Sequence, residues 1–229
     1  MALILSLETA TSCCSVALHK NGALLIHYES PTAQSTASQL AVMIDQAFKS
    51  NQYPMSELVA VAISAGPGSY TGLRIGTATA KGICYALSIP LIAINTLELM
   101  VEQFLIEHTI NSNALCCPML DARRMEVYSL LMTPQKKIVE KTESKVIDNA
   151  SFADQLAQQE IYFFGDGASK CEEVIQHPNA HFINNIHPVA KHMGMQAFYK
   201  FSNKQFEDTV TFEPLYLKDF MIRKPTTTN

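Results

Sequence analysis

The sequence predicts an α/β protein built as two lobes, each around a mixed sheet. Three observations point there: a β-meander opens the chain, buried-strand and amphipathic-helix patterns then alternate, and a second meander-then-helix succession begins after residue 113 without sequence repeat. In the first unit, Leu3 to Leu7 reads as a short apolar strand and Ser15 to His19 alternates. Asn21-Gly22 is a hairpin turn signal, and Ala23 to Tyr28 returns. A helix from about Thr36 carries Leu40, Met43, Ile44, Ala47 and Phe48 on one face. The continuous run Leu58-Val59-Ala60-Val61-Ala62-Ile63 suits a strand covered on both faces. A glycine-rich loop, Ala65 to Gly72, leads to a long helix ending near Ser88, and Leu91 to Ile94 is a further buried strand. Thr96 is expected to cap the next helix, which carries Leu97, Met100, Val101 and Phe104.

The polar stretch Glu107 to Asn113 marks a lobe boundary, giving an N-terminal lobe over 1–108 and a C-terminal lobe over 109–229. Beyond it, Leu115 to Leu120 and Glu126 to Met132 flank the turn Asp121-Ala122-Arg123-Arg124, and a third strand is expected over Lys137 to Lys141. A helix capped by Asp148-Asn149 runs to about Gln158, and Ile161 to Phe164 forms a buried strand ending in Gly165-Asp166-Gly167. Pro188 suits the first turn of a helix running towards Phe201. The segment 212–218 is short and hydrophobic, and is expected to pack back on the body of the molecule, against the N-terminal lobe.

Hydrophobic residues make up 48% and charged residues 17% of the 229, which excludes general disorder. The net charge is −4 and the cations are scattered, so an unaided nucleic-acid binder is not expected. The apolar start lacks a basic region and meets Glu8 early, and no uncharged run approaches the roughly 18 residues of a membrane span; a cytoplasmic location is expected. The six cysteines form no Cys-x-x-Cys pair, so small buried residues in a reducing compartment are expected rather than disulfides or zinc.

The glycine loop matches neither phosphate-binding template. A Walker loop needs a lysine after its last glycine, and none comes before Lys81; a dinucleotide loop needs glycine where Thr71 stands. Gly66, Gly68, Ser69, Tyr70, Thr71 and Arg74 therefore make only a candidate vestigial nucleotide or anion loop. In the helix that follows, Gly72, Gly76 and Ala80 recur at four-residue spacing, with Leu73, Thr79 and Ile83 beside them. Each internal helical glycine costs about 1 kcal/mol against alanine, so a second backbone is expected to approach this face closely. Spacing leaves open whether that backbone belongs to this chain or to another.

Five stretches, in order, resemble the signature segments of the TsaB (YeaZ) family: Leu5-Ser6-Leu7-Glu8-Thr9-Ala10, the glycine segment from Gly66 to Gly76, Asp121 to Tyr128, Gly165-Asp166-Gly167, and Pro214-Leu215-Tyr216-Leu217-Lys218. The resemblance spans nearly the whole chain. It implies an actin-like ATPase/sugar-kinase (ASKHA) fold in two lobes. It also implies a non-catalytic scaffold that pairs with a TsaD paralogue and a TsaE ATPase to place threonylcarbamoyl on adenosine 37 of tRNA. ATP/ADP and metal are then expected on the partner subunits, with no cofactor on this chain, and a homodimer is expected when the chain is alone. By that analogy Gly72, Leu73, Gly76, Thr79, Ala80 and Ile83 become candidate partner-interface residues. Three departures stand out: Glu8-Thr9 where the family commonly has Asp-Thr, Gln34-Ser35-Thr36 where many members carry histidine, and Met125 at a turn position usually held by a small residue.

The remaining motifs offer little chemistry. His177 and His181 have the spacing of a helical metal pair, but Pro178 between them disfavours the helix. The Asp121 turn reads as a local hairpin turn, because no second acid or nucleophile stands near it in sequence. Two other functions stay open: a small-molecule kinase or ATPase of the same fold, and a metallopeptidase, an idea that comes with the family resemblance.

Overall fold

A computed structural model describes residues 1–30 and 36–218, with side chains from Ser38 onward in the second stretch. The Gln34-Ser35 departure and the cations Arg223 and Lys224 lie outside the described residues.

The first sheet runs β3-β2-β1-β4-β5, from β1 (Leu3–Glu8), β2 (Cys14–Lys20), β3 (Ala23–Ser30), β4 (Leu58–Ser64) and β5 (Leu91–Ile94). β1 lies antiparallel to β2, with Leu5 opposite Leu18, and parallel to β4, with Leu5 opposite Val61. Alternation then sends Leu3, Leu5, Leu7, Val61 and Ile63 to one face, where α1 (Thr36–Lys49) and α2 (Tyr70–Leu87) cover them. Ile4, Ala60, Ala62, Ile92 and Ile94 point to the other face, against Leu99 of α3 (Thr96–Glu107) and Met193 and Ala197 at α5 (Gly194–Ser202).

The second sheet repeats this plan in the order β10-β9-β6-β7-β8, from β6 (Leu115–Asp121), β7 (Glu126–Met132), β8 (Ile138–Val146), β9 (Ile161–Phe164) and β10 (Ala180–Ile183). Its central β6 is likewise antiparallel to β7 and parallel to β9. Two copies of one mixed-sheet topology, meander first and crossovers after, give the two-lobed α/β arrangement that the sequence predicts. α3 fills the space between the sheets, with Leu97, Met100, Val101 and Phe104 against Cys116, Leu120, Leu130 and Phe164.

Several boundaries differ from the sequence expectation. Asn95, not Thr96, caps α3, its side chain accepting the Leu97 and Glu98 N–H groups. The helix expected from Asp148 shrinks to α4 (Ala153–Leu156), because Phe152 takes a left-handed φ of 63° and Asp148 binds the Ala150 N–H and the Ser151 hydroxyl instead. β8 runs further than expected, to Val146. After Pro188 comes only a 3-10 turn, Ala190–His192, before α5; the Ala190 N–H donates to the Ser15 hydroxyl of β2 and ties the turn to the sheet. From Met193 the chain lies on the first lobe: Glu207 N–H donates to Leu91 O, and Leu215 N–H donates to Ala65 O at 2.7 Å.

Candidate functional site

The carboxyl ends of β1, β4 and β5 form the crevice where open α/β sheets place their ligands. Here the chain fills it with itself. The Ser69 N–H donates to Ala10 O at 2.6 Å, and Ser69 in turn caps α2 by accepting the Gly72 N–H. A Cβ on Gly68 would collide with Ala10 O, one on Gly72 with Thr9 O, and one on Gly66 (φ 96°) would come within 2.7 Å of Leu215 O. The glycines therefore admit the chain's own carbonyls, which repel an anion. This corrects the candidate vestigial nucleotide or anion loop at its glycines: Gly68 is packed against the β1–β2 turn and Gly66 against residue 215, while the exposed Ser69 donates its N–H to Ala10 O. Tyr70, Thr71 and Arg74 are exposed at the start of α2, where the Arg74 guanidinium donates to the Tyr70 hydroxyl.

The small-residue face of α2 needs the same correction. Gly72, Leu73, Gly76 and Ala80 are buried, and a Cβ on Gly76 would collide with the Thr9 hydroxyl and meet Ile63 Cδ1 at 3.2 Å. Ile83 packs against the same core, and the half-buried Thr79 donates its hydroxyl to Ile75 O. The second backbone that the spacing called for is β1 and its turn, not another polypeptide. The opposite side of α2 is open: Thr71, Arg74, Ala78, Gly82, Tyr85 and Ala86 are exposed, Tyr85 at 88%. Among the described residues, nothing outside the helix's own neighbouring backbone lies within 4 Å of where a Gly82 Cβ would be. Beside α2 packs α1, whose Val42 is 53% exposed. Between α2 and residues 212–218 runs a groove of about 560 Å³, flanked by Tyr70, Arg74, Lys81, Tyr216 and Lys218.

On the inner face of the first sheet a row of polar side chains is sealed from solvent. Glu8 is fully buried, and one carboxyl oxygen accepts the Ala10 N–H. Burial pushes its pKa up to about 8, against smaller opposing effects of the Ser64 hydroxyl and nearby N–H groups. Burial thus favours the neutral form of the Glu8 carboxyl and shuts it off from solvent. His19 sits 3.0 Å from the Ser6 hydroxyl and 3.1 Å from Lys191 O, and burial lowers its pKa to about 4. Sequence reasoning missed this row, although the polar residues at alternate positions Ser6 and Glu8 of an otherwise apolar strand signal it.

The Asp121 turn is local, as the sequence suggested: Asp121 accepts the Arg123 N–H, and Arg123 and Arg124 take left-handed φ of 71° and 52°. Burial raises the Asp121 pKa, but the Lys170 ammonium and the Arg123 N–H outweigh it and hold the carboxyl below its usual range. His177 and His181 share no helix; His181 lies on β10 and faces Glu160 at 3.2 Å. Among the described residues no group of three His, Cys, Asp or Glu side chains is placed to hold a metal. All six cysteines are free and buried, and burial pushes their thiols up, Cys13 to about 11 and Cys116 to about 12. No described helix is long and apolar enough to cross a membrane.

Comparison with known proteins places this architecture. Residues 30–224 match the family described as TsaD: tRNA N6-adenosine threonylcarbamoyltransferase. The tRNA threonylcarbamoyladenosine biosynthesis protein TsaB of Escherichia coli K12 is 32% identical over 125 residues, 55% of this chain and 52% of that protein. Its counterpart in Bacillus subtilis 168 is 24% identical over 176 residues, 76% of this chain and 75% of that one. The chain thus spans about half the length of the Escherichia coli relative and more of the Bacillus one. A Pseudomonas aeruginosa crystal structure, described as an uncharacterized protein with similarity to peptidase YEAZ, superposes with a TM-score of 0.84 over 95% of this chain and 100% of that chain, at 23% identity. A second, YeaZ from the same organism, gives 0.79. With the doubled sheet topology and the ordered motifs, these matches place the chain in the tRNA N6-adenosine threonylcarbamoyltransferase family, on its TsaB (YeaZ) branch.

Proposed function

We propose that this chain is a non-catalytic scaffold subunit of the assembly that transfers threonylcarbamoyl to N6 of adenosine 37 in tRNA, and that it docks a TsaD-type paralogue through the outer face of α2. One observation carries the docking face. Gly82 lies inside a helix, where glycine costs about 1 kcal/mol, and among the described residues no atom outside its own stretch of helix comes within 4 Å of where its Cβ would be. The cost of Gly76 is explained by Thr9; that of Gly82 has no such explanation among the described residues. A flat strip of Thr71, Ala78, Gly82 and Ala86, with Tyr85 projecting beside it, fits another helix at close range. The scaffold role is supported by the filled crevice and the sealed Glu8. ATP/ADP and metal then reside on the TsaD-type and TsaE-type subunits, tRNA is engaged through the complex, and the same α2 face pairs two copies when the partner is absent.

Gly82→Ala is expected to stabilise the isolated chain by up to about 1 kcal/mol in denaturant unfolding, because the added methyl meets open space. Gly82→Leu is expected to leave the isolated chain folded and to abolish threonylcarbamoyl transfer in a reconstitution with TsaD-type and TsaE-type subunits. Full activity of folded Gly82→Leu protein in that reconstitution is the result that rejects the docking face.

A further inference from the structure

We propose that residues 212–218 are an interlobe strap, anchored on both lobes, that holds the two at one fixed angle and makes the cleft rigid. The lobes already meet along α3, whose Leu97, Met100, Val101 and Phe104 pack on the second sheet. Here the chain supplies an extra tie. On the first lobe, Lys81 reaches Val210 O at 3.3 Å, Phe212 packs against the core, the Leu215 N–H donates to Ala65 O at 2.7 Å, and the Tyr216 ring lies 5.0 Å from Tyr70. Three residues later, on the second lobe, the Lys218 ammonium donates to Ala122 O at 2.8 Å and to the Glu126 carboxylate at 2.5 Å, and lies 5.9 Å from the Tyr128 ring centroid.

The receiving turn is itself braced. Lys170 donates to the Asp121 carboxylate, to Arg124 O and to Glu126 O, and the Ser144 hydroxyl donates to the other Glu126 oxygen. Asp166 accepts the Asp121 N–H. The glycine at 66 completes the first-lobe anchor, since any side chain there would push against Leu215 O and lift the strap. The two anchors are close in sequence, so little slack separates them: three residues span about 10 Å at most.

This strap goes beyond the scaffold reading, and its test needs no partner subunit. Site-resolved hydrogen exchange on the full chain reads each anchor separately. Leu215→Pro removes the first-lobe donor. It is expected to raise exchange of the Ala122 and Glu126 amides, in the other lobe, about fivefold to tenfold. Lys218→Ala is expected to raise exchange of the Leu215 amide to a similar degree, and Lys218→Arg to restore it. Leu215 is 41% exposed and Lys218 is outside the core, so both variants keep the fold, which circular dichroism verifies. If each substitution changes exchange only at its own anchor, the strap is a passive tail and the proposal is overturned.

Discussion

Replacing Gly76 by leucine is expected to cost at least about 3 kcal/mol of stability and to leave little folded protein at growth temperature. The new side chain would start from a Cβ already in collision with the Thr9 hydroxyl and in tight contact with Ile63, and neither neighbour is free to move. Thr9 belongs to the β1–β2 turn whose carbonyls receive the glycine loop, and Ile63 is fully buried in β4. Relief would require α2 to lift off the sheet, exposing Leu73, Ala80 and Cys84. Guanidinium unfolding of Gly76→Leu beside Gly82→Leu separates the two sides of one helix. The first is expected to lose most of its midpoint, while the second stays within about 1 kcal/mol of the parent. A folded Gly76→Leu monomer of parental midpoint would place the close approach outside the chain after all.

The second large effect is a fall in stability above neutral pH. Glu8 has a folded pKa of about 8 against 4.5 ordinarily, so the native state holds a proton that the unfolded chain has released. Its contribution is fully present below pH 4.5 and is lost as pH rises to 8, about 1.4 kcal/mol per unit and about 5 kcal/mol in all. His19 acts in the opposite sense: its pKa falls from 6.5 to about 4, so its contribution is present above 6.5 and is lost as pH falls towards 4. Between 4.5 and 6.5 the two slopes cancel. From 6.5 to 8 only the Glu8 slope remains of the pair, and stability is expected to drop by about 2 kcal/mol. Glu8→Gln keeps an acceptor for the Ala10 N–H without a charge, and is expected to flatten the profile above pH 6.5. Unfolding midpoints collected at half-unit pH steps check both. A parental curve that rises from 6.5 to 8 would mean that Glu8 is ionised and its seal is leaky.

The succession of strands and helices along each lobe was legible in the residues because periodicity and turn chemistry act locally. The Asn21-Gly22 turn takes positive φ at both positions (49° and 85°), and the buried runs at 58–63 and 161–164 became central or near-central strands. Which side of α2 turns inward was not legible from its small residues. Glycines at four-residue spacing state that a backbone comes close, not whose it is. The deciding context is topological: a helix between two parallel strands must lay its stripe on the sheet, and Leu73 and Cys84 belong to the Gly72–Gly76–Ala80 side. The outward side then holds Gly82, with no neighbour from another element among the described residues. The filled crevice was equally hidden, since Ala10 O and Leu215 O reach the loop from far along the chain. The late elements were misjudged where a side chain redirected the backbone, as Ser15 does to Ala190.

The outer face of α2 as the docking face is tested most directly by sedimentation velocity, titrating a TsaD-type subunit with the parental chain and with Gly82→Leu. The parental chain is expected to form a stable one-to-one species, and the substitution to weaken it about 100-fold or more, as a bulky group on the flat strip of a helix pair prevents contact. Equal binding by the two chains would contradict the account and move the partner to another surface.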